Sequence, residues 1–120
     1  MMKNKIENII PVLPVKNLNR SVDYYVNILG FKEDWRGVAV GSVSCDGCSI
    51  MLSELIKTSH PNWVWIGLQD ATVFEELMNK GVKVIQEPMN HDWAYEMKFE
   101  DLDGNVLWLG TGPRDDLPKV

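Results

Sequence analysis

Two cysteines, two histidines and five tryptophans are the residue types through which this chain could do chemistry. Cys45 and Cys48 form a C-x-x-C in SVSCDGCSI, a spacing used by redox dithiols and by zinc half-sites. Redox pairs gain a low thiol pKa at a helix N-terminus, whereas these cysteines flank Asp46-Gly47, a hairpin-turn dipeptide. Zinc would need two more ligands, and only His60 and His91 exist. The pair therefore reads as two thiols beside a turn. His91, with Asp92 and Glu96 close by, could support acid–base chemistry beside a bound molecule. It falls in EPMNHDW, which reads as an exposed polar loop. No nucleophile elbow or phosphate loop is found, because the glycines punctuate turns and helix ends.

The tryptophans are Trp35, Trp63, Trp65, Trp93 and Trp108. Trp63 and Trp65 are two apart on a strand-like run and so share a side. On WAYEMKF, alternation groups Trp93 with Tyr95, Met97 and Phe99, and sets Glu96, Lys98 and Glu100 opposite. Val106 and Trp108 share a side against Leu107 and Leu109. Such stripes build cores, and where a sheet is open they line ligand grooves by stacking on planar rings. Glu33, Asp34 and Asp92 are candidate acidic groups at the rim of such a groove.

These residues are positioned by an element order that occurs twice. IENIIPVLPV (6–15) reads as an irregular or edge strand, because proline removes a ladder donor. NLNRSVDYYVNILG (17–30) has helical spacing at Leu18, Val22, Tyr25 and Leu29, with Asn17 as N-cap and Gly30 as its stop. Strands follow near 31–36, 37–44 and 48–54. The order then repeats: strand 62–69; helix 70–81 capped by Asp70, with Val73, Phe74, Leu77 and Met78 as its buried stripe; strands 82–87, 93–101 and 105–110, the last two joined at Asp103-Gly104. The reading is an α+β chain of paired βαβββ modules, 1–58 and 59–110, with a loose tail at 111–120. Neither module can bury its sheet alone, so the two should pair in one domain, a curved mixed sheet around a groove.

The bulk properties bound the function. At 120 residues, 45% hydrophobic and 24% charged, the composition is that of an ordinary globular domain. A net charge of −5 without a basic run argues against nucleic acid, and no run is long and apolar enough for a membrane span. The N-terminal residues lack a signal-like apolar stretch, so a cytoplasmic location is expected.

PVLPVKNLNRSVDYYVNILGF (11–31) and FEDLDGNVLWLG (99–110) resemble the opening strand–helix and closing hairpin of the vicinal oxygen chelate superfamily, which includes glyoxalase I, extradiol dioxygenases and bleomycin resistance proteins. The closing motif has Leu102 where the family usually has proline. The resemblance covers roughly residues 9–110. Its enzymes bind a divalent metal through four side chains, and the matched positions here are Ile10, Met51, Trp63 and Trp108. None offers a carboxylate or imidazole, and the Met51 thioether suits only a soft metal. Glu54 lies near enough to Met51 to be a displaced ligand.

The resemblance is nearest to the bleomycin resistance proteins, whose Trp-containing loop is matched by HDWAYEM with Trp93. It implies a metal-free homodimer, without cofactor, that sequesters an aromatic or cationic small molecule. The ligand-binding residues would be Trp108, Trp63, Trp65, Trp93, Met51, Ile10 and Trp35. The alternative is a glyoxalase- or dioxygenase-like enzyme, either metal-free or with displaced ligands such as Glu54 and His91.

Overall fold

The repeated order is realised as two runs of five elements in a computed structural model that describes residues 1–120. The first run is β1 (Val12–Pro14), α1 (Leu18–Asn27), β2 (Lys32–Arg36), β3 (Val40–Cys45) and β4 (Cys48–Ser53). The second is β5 (Trp63–Gly67), α2 (Thr72–Asn79), β6 (Lys83–Asn90), β7 (Tyr95–Glu100) and β8 (Val106–Thr111). The chain divides into two units, Met1–Lys57 and Thr58–Val120. Each holds one four-stranded mixed sheet, ordered β1-β4-β3-β2 and β5-β8-β7-β6. In both, the first strand pairs parallel with the last and the other pairings are antiparallel. The architecture is α+β.

In the first unit, Asn17 caps α1 by accepting the Arg20 N–H at 3.0 Å. Glu54 Oε2 accepts the Leu18 N–H at 2.6 Å, so a second orphan donor of the first turn is satisfied from the end of β4. Leu18, Val22 and Tyr25 are buried, and their spacing places them on one face of the helix. That face lies over Gly41, where an added Cβ would meet Leu18 Cδ1 at 3.4 Å and Val22 Cγ2 at 3.6 Å. Full burial of such apolar side chains contributes roughly 1.5–3 kcal/mol each. β1 is shorter than the expected 6–15 segment: the two prolines confine it to three residues, and Ile10 precedes it.

In the second unit, Phe74 and Leu77 are the buried residues of α2, while Met78 is exposed. Phe74 packs on Tyr95 at 5.3 Å between ring centroids, so α2 covers the side of β7 that also carries Met97 and Phe99. Asp70, the expected cap, sits one residue before the observed N-cap, Ala71. Its carboxylate accepts the Thr72 N–H at 3.0 Å and the Thr72 hydroxyl at 2.6 Å. These bonds hold the Asp70 carboxyl below its usual pKa, the hydroxyl contributing most.

Two expectations about loops are corrected. The segment Glu87–Asn90 of EPMNHDW belongs to β6, an edge strand whose register shifts on both sides of Gln86, with Pro88 in the irregular stretch between Gln86 and Met89. Trp93 precedes β7 and does not follow its alternation. Residues 111–120 are not a loose end. The Asn90 side-chain amide donates to the Arg114 and Leu117 carbonyls at 2.6 and 3.0 Å and accepts the Arg114 N–H at 2.9 Å.

Candidate functional site

One row of side chains crosses all four strands of the second sheet. Trp65 on β5 pairs with Trp108 on β8, Trp108 with Lys98 on β7, and Lys98 with Gln86 on β6. Directly paired residues point to the same side, so this row occupies the face opposite Tyr95, Met97 and Phe99. The Asp101–Asn105 turn sets the register. Asp101 Oδ1 accepts the N–H groups of Asp103 and Asn105 at 2.8 and 3.0 Å, and Oδ2 accepts the Asn105 side-chain amide at 2.9 Å.

Trp108 is the hub of this face. Trp63, Trp65 and Trp93 each meet it edge to face, at centroid separations of 6.3, 5.0 and 6.1 Å. This is a favoured aromatic arrangement, worth about 0.5–1.5 kcal/mol per pair beyond area burial. The imidazole of His91 stacks on Trp93 at 4.6 Å and within 4° of parallel. Trp65 reaches its place because Gly110 has no side chain: a Cβ there would overlap Trp65 Cη2 and stand 2.8 Å from Cζ3. Trp63, Trp65 and Trp93 nevertheless remain 56%, 47% and 58% exposed. About half of each of these residues thus stays exposed, with one face of Trp93 covered by His91 and Lys98 lying over Trp63.

A buried carboxylate underlies the cluster. Glu96, 1% exposed, accepts the Trp108 indole N–H on Oε2. Its Oε1 faces His91 Nε2 at 3.2 Å and accepts from Gln86 Nε2 at 3.3 Å. Gln86 Oε1 in turn accepts from Lys98 Nζ at 2.8 Å. The Lys98 ammonium lies 5.1 Å from the Trp108 centroid and 5.6 Å from that of Trp63. A charge costs several kcal/mol to bury unpaired, so these donors are what allow Glu96 to sit here.

The structure thus brings Trp63, Trp65, Trp93, Trp108 and His91 together. Glu96 joins the Trp93 side, contrary to the expected alternation, because Trp93 approaches from the loop while Glu96 follows the strand. Met51, Ile10 and Trp35 belong to the first unit. Met51 and Trp35 both flank Ser42 in one row of its sheet, and Ile10 lies ahead of β1. Glu54 is engaged with the start of α1. Lys98, Gln86 and Gly110 were not anticipated from sequence. The Asp-Gly turn carried a signal for Lys98, since equal steps back and forward from Asp103 place it opposite Trp108.

The candidate rim acids differ in engagement. Glu33 is bridged to Arg36 at 2.8 Å, and Asp34 accepts from the Ser42 and Ser44 hydroxyls at 3.2 and 2.7 Å. Asp92 is exposed beside Trp93. A separate pocket of about 900 Å³ lies on the α2 side of the second unit, between Asp70, Phe74, Tyr95 and Arg114. In it Arg114 pairs with Asp116 and lies 5.4 Å over the Tyr95 ring, while Asp70 binds Thr72.

The residues do not fit a catalytic divalent metal. Trp108 presents a donor N–H that Glu96 accepts, Trp63 presents an aromatic ring, and Met51 and Ile10 offer no hard ligand. No three His, Cys, Asp or Glu side chains converge anywhere in the chain.

A model of the glyoxalase/bleomycin resistance protein/dioxygenase superfamily matches residues 6–109. The chain belongs to that superfamily. Within the superfamily fold, TnmS3, an antibiotic binding protein from Streptomyces sp. CB03234, is 27% identical, with a TM-score of 0.78 over 90% of this chain and 98% of that one. TioX from Micromonospora sp. ML1 is 15% identical, with a TM-score of 0.76 over 89% and 99% of the two chains, a likeness of fold. An uncharacterized protein of Shewanella frigidimarina (strain NCIMB 400) is 26% identical over 127 residues, 89% of this chain and 92% of the relative. No helix is long and apolar enough to cross a membrane.

Proposed function

We propose that this chain is a metal-independent small-molecule binding protein of the bleomycin-resistance type, which sequesters a planar aromatic ligand on Trp63, Trp65, Trp93 and Trp108. The observation that carries the reading is the cluster itself. Three half-exposed indoles meet a fourth in T-shaped contacts, and the N–H of that fourth ring is anchored on the buried Glu96. Anchored rings lose little freedom on binding, which is why preorganised aromatic surfaces bind tightly for their area. The likeness to an antibiotic binding protein of the same superfamily supports the assignment. The first-unit residues Met51, Ile10 and Trp35 are proposed as further ligand contacts, the protein as a cytoplasmic homodimer, and no cofactor is invoked.

Tryptophan-fluorescence titration against aromatic antibiotics, glycopeptides and glyoxal-derived thioesters tests this. Saturable quenching near one site per protomer is expected, unchanged after exhaustive chelation. Trp108→Ala should weaken the best ligand by about tenfold or more, which is ~1.4 kcal/mol, with the far-UV spectrum retained. Equal affinity in the variant, or a stoichiometric metal required for binding, would count against the proposal.

The contact between His91 and Glu96 favours one second reading, a metal-free enzyme in which His91 moves a proton at the bound molecule. Turnover of a bound ligand that disappears in His91→Gln while affinity persists would establish it.

A further inference from the structure

Resting on the reading of the tryptophan cluster as a ligand site, we propose that its ligand is a planar aromatic molecule bearing an anionic oxygen, a carboxylate or phenolate, and that Lys98 receives that oxygen. An aromatic cage without a cation of its own attracts cations to its ring faces. This cage already holds one. Lys98 Nζ lies over both Trp108 and Trp63, at 5.1 and 5.6 Å from their centroids. A second cation on those faces would stand beside a like charge.

The carboxylates of β7 on this face that could offset a cationic ligand, Glu96 and Glu100, are already engaged, Glu100 with Lys83 at 3.3 Å. Glu96 is buried, with Oε2 bound to the Trp108 indole and Oε1 shared by Gln86 and His91. Of the three suggested acids, Glu33 and Asp34 are engaged by Arg36 and by two serine hydroxyls, leaving the exposed Asp92. Lys98 is in the opposite position. Its ammonium has three N–H donors, gives one to Gln86 Oε1 at 2.8 Å and otherwise lies over the two indole rings.

The Gln86 amide is oriented by this arrangement, its oxygen toward Lys98 and its nitrogen toward Glu96. The ammonium is therefore held at the ring faces and still has donors to give. An anionic oxygen set there would form charge-assisted hydrogen bonds while the attached ring lies on an indole. The chain's net charge of −5 opposes an anion at long range, but that field is screened within about 10 Å at 0.1 M salt. The nearest charges are Lys98 and the buried Glu96. The Glu96 oxygens are taken up by Trp108, Gln86 and His91, so the group with hydrogen bonds left to give at the ring faces is Lys98.

Three probes with one ring system test this by calorimetry at neutral pH: naphthalene carboxylate, the neutral naphthalene carboxamide and naphthylmethylammonium. The native protein should bind the carboxylate about tenfold or more tightly than the ammonium probe. Lys98→Met, which keeps the stem and removes the charge, should erase the difference, while Lys98→Arg retains it. Equal or tighter binding of the ammonium probe by the native protein would overturn this inference and leave the ligand site standing. So would a carboxylate preference that survives in Lys98→Met. Saturable binding of none of the three probes would overturn the ligand-site reading itself, and this inference with it.

Discussion

At Glu96 a single buried carboxylate joins three partners that no local pattern connects: the Trp108 indole, Gln86 and His91. Removing a buried acceptor leaves its donors unsatisfied, and hydrogen bonds to a charged group contribute about 1.5–3 kcal/mol each. Glu96→Leu should therefore lower the unfolding free energy by ~3 kcal/mol, whereas Glu96→Gln, which keeps one acceptor for the indole, should cost ~1 kcal/mol. Urea unfolding followed by tryptophan emission measures both. Equal losses for the two variants would mean that Glu96 acts by filling space and not by accepting hydrogen bonds. Period-two spacing made Trp63, Trp65 and the strand bearing Trp108 legible in sequence. It could not reveal Glu96 as their anchor, because the loop before β7 puts Trp93 out of phase with the strand and reverses the grouping inferred from WAYEMKF.

The strands and helices were more legible than the residues on them. Both Asp-Gly turns, the Asn17 cap and the buried Leu18–Val22–Tyr25 face follow from short-range chemistry that the sequence spells out. Element ends were less so: β6 runs on through Pro88 because an edge strand tolerates the missing donor, and Asn90 can then hold the terminal segment. The β3–β4 hairpin gives a prediction at this scale. Asp46 and Gly47 both have positive φ, 52° and 79°, and bring Cys45 directly opposite Cys48. Burial of the sulfur, with the adjoining Asp46 charge and hydrogen bond, raises the Cys45 thiol pKa, although the residue as a whole is exposed. The thiolate is the nucleophile, so alkylation of Cys45 should begin at higher pH than for an ordinary thiol. In a Cys48→Ser background, Asp46→Asn removes the negative charge and should shift the iodoacetamide rate profile to lower pH, with faster labelling at neutral pH. A profile that does not move would assign the raised pKa to burial alone.

For the whole molecule, the question is how a chain of this size carries so much aromatic surface in water. Trp63, Trp65 and Trp93 are each about half exposed around one hub, and Trp35 is 48% exposed in the first unit. Contiguous apolar patches of more than a few hundred Å² are uncommon on monomers and usually mark an interface or a ligand site. The proposed homodimer and the proposed ligand make different demands on that surface. A second copy would cover indoles at all times, whereas a ligand covers them only when bound. Sedimentation velocity over a range of protein concentrations should show a species at twice the 13.7 kDa protomer mass. If the dimer shields the cluster, acrylamide quenching of the free protein should weaken as dilute protomers associate and fall further on ligand addition. A dimer whose quenching changes only with ligand would place the interface away from the tryptophans. A protein that stays monomeric at every concentration would refute the dimer, leaving each chain to hold its ligand on the open face of its second sheet.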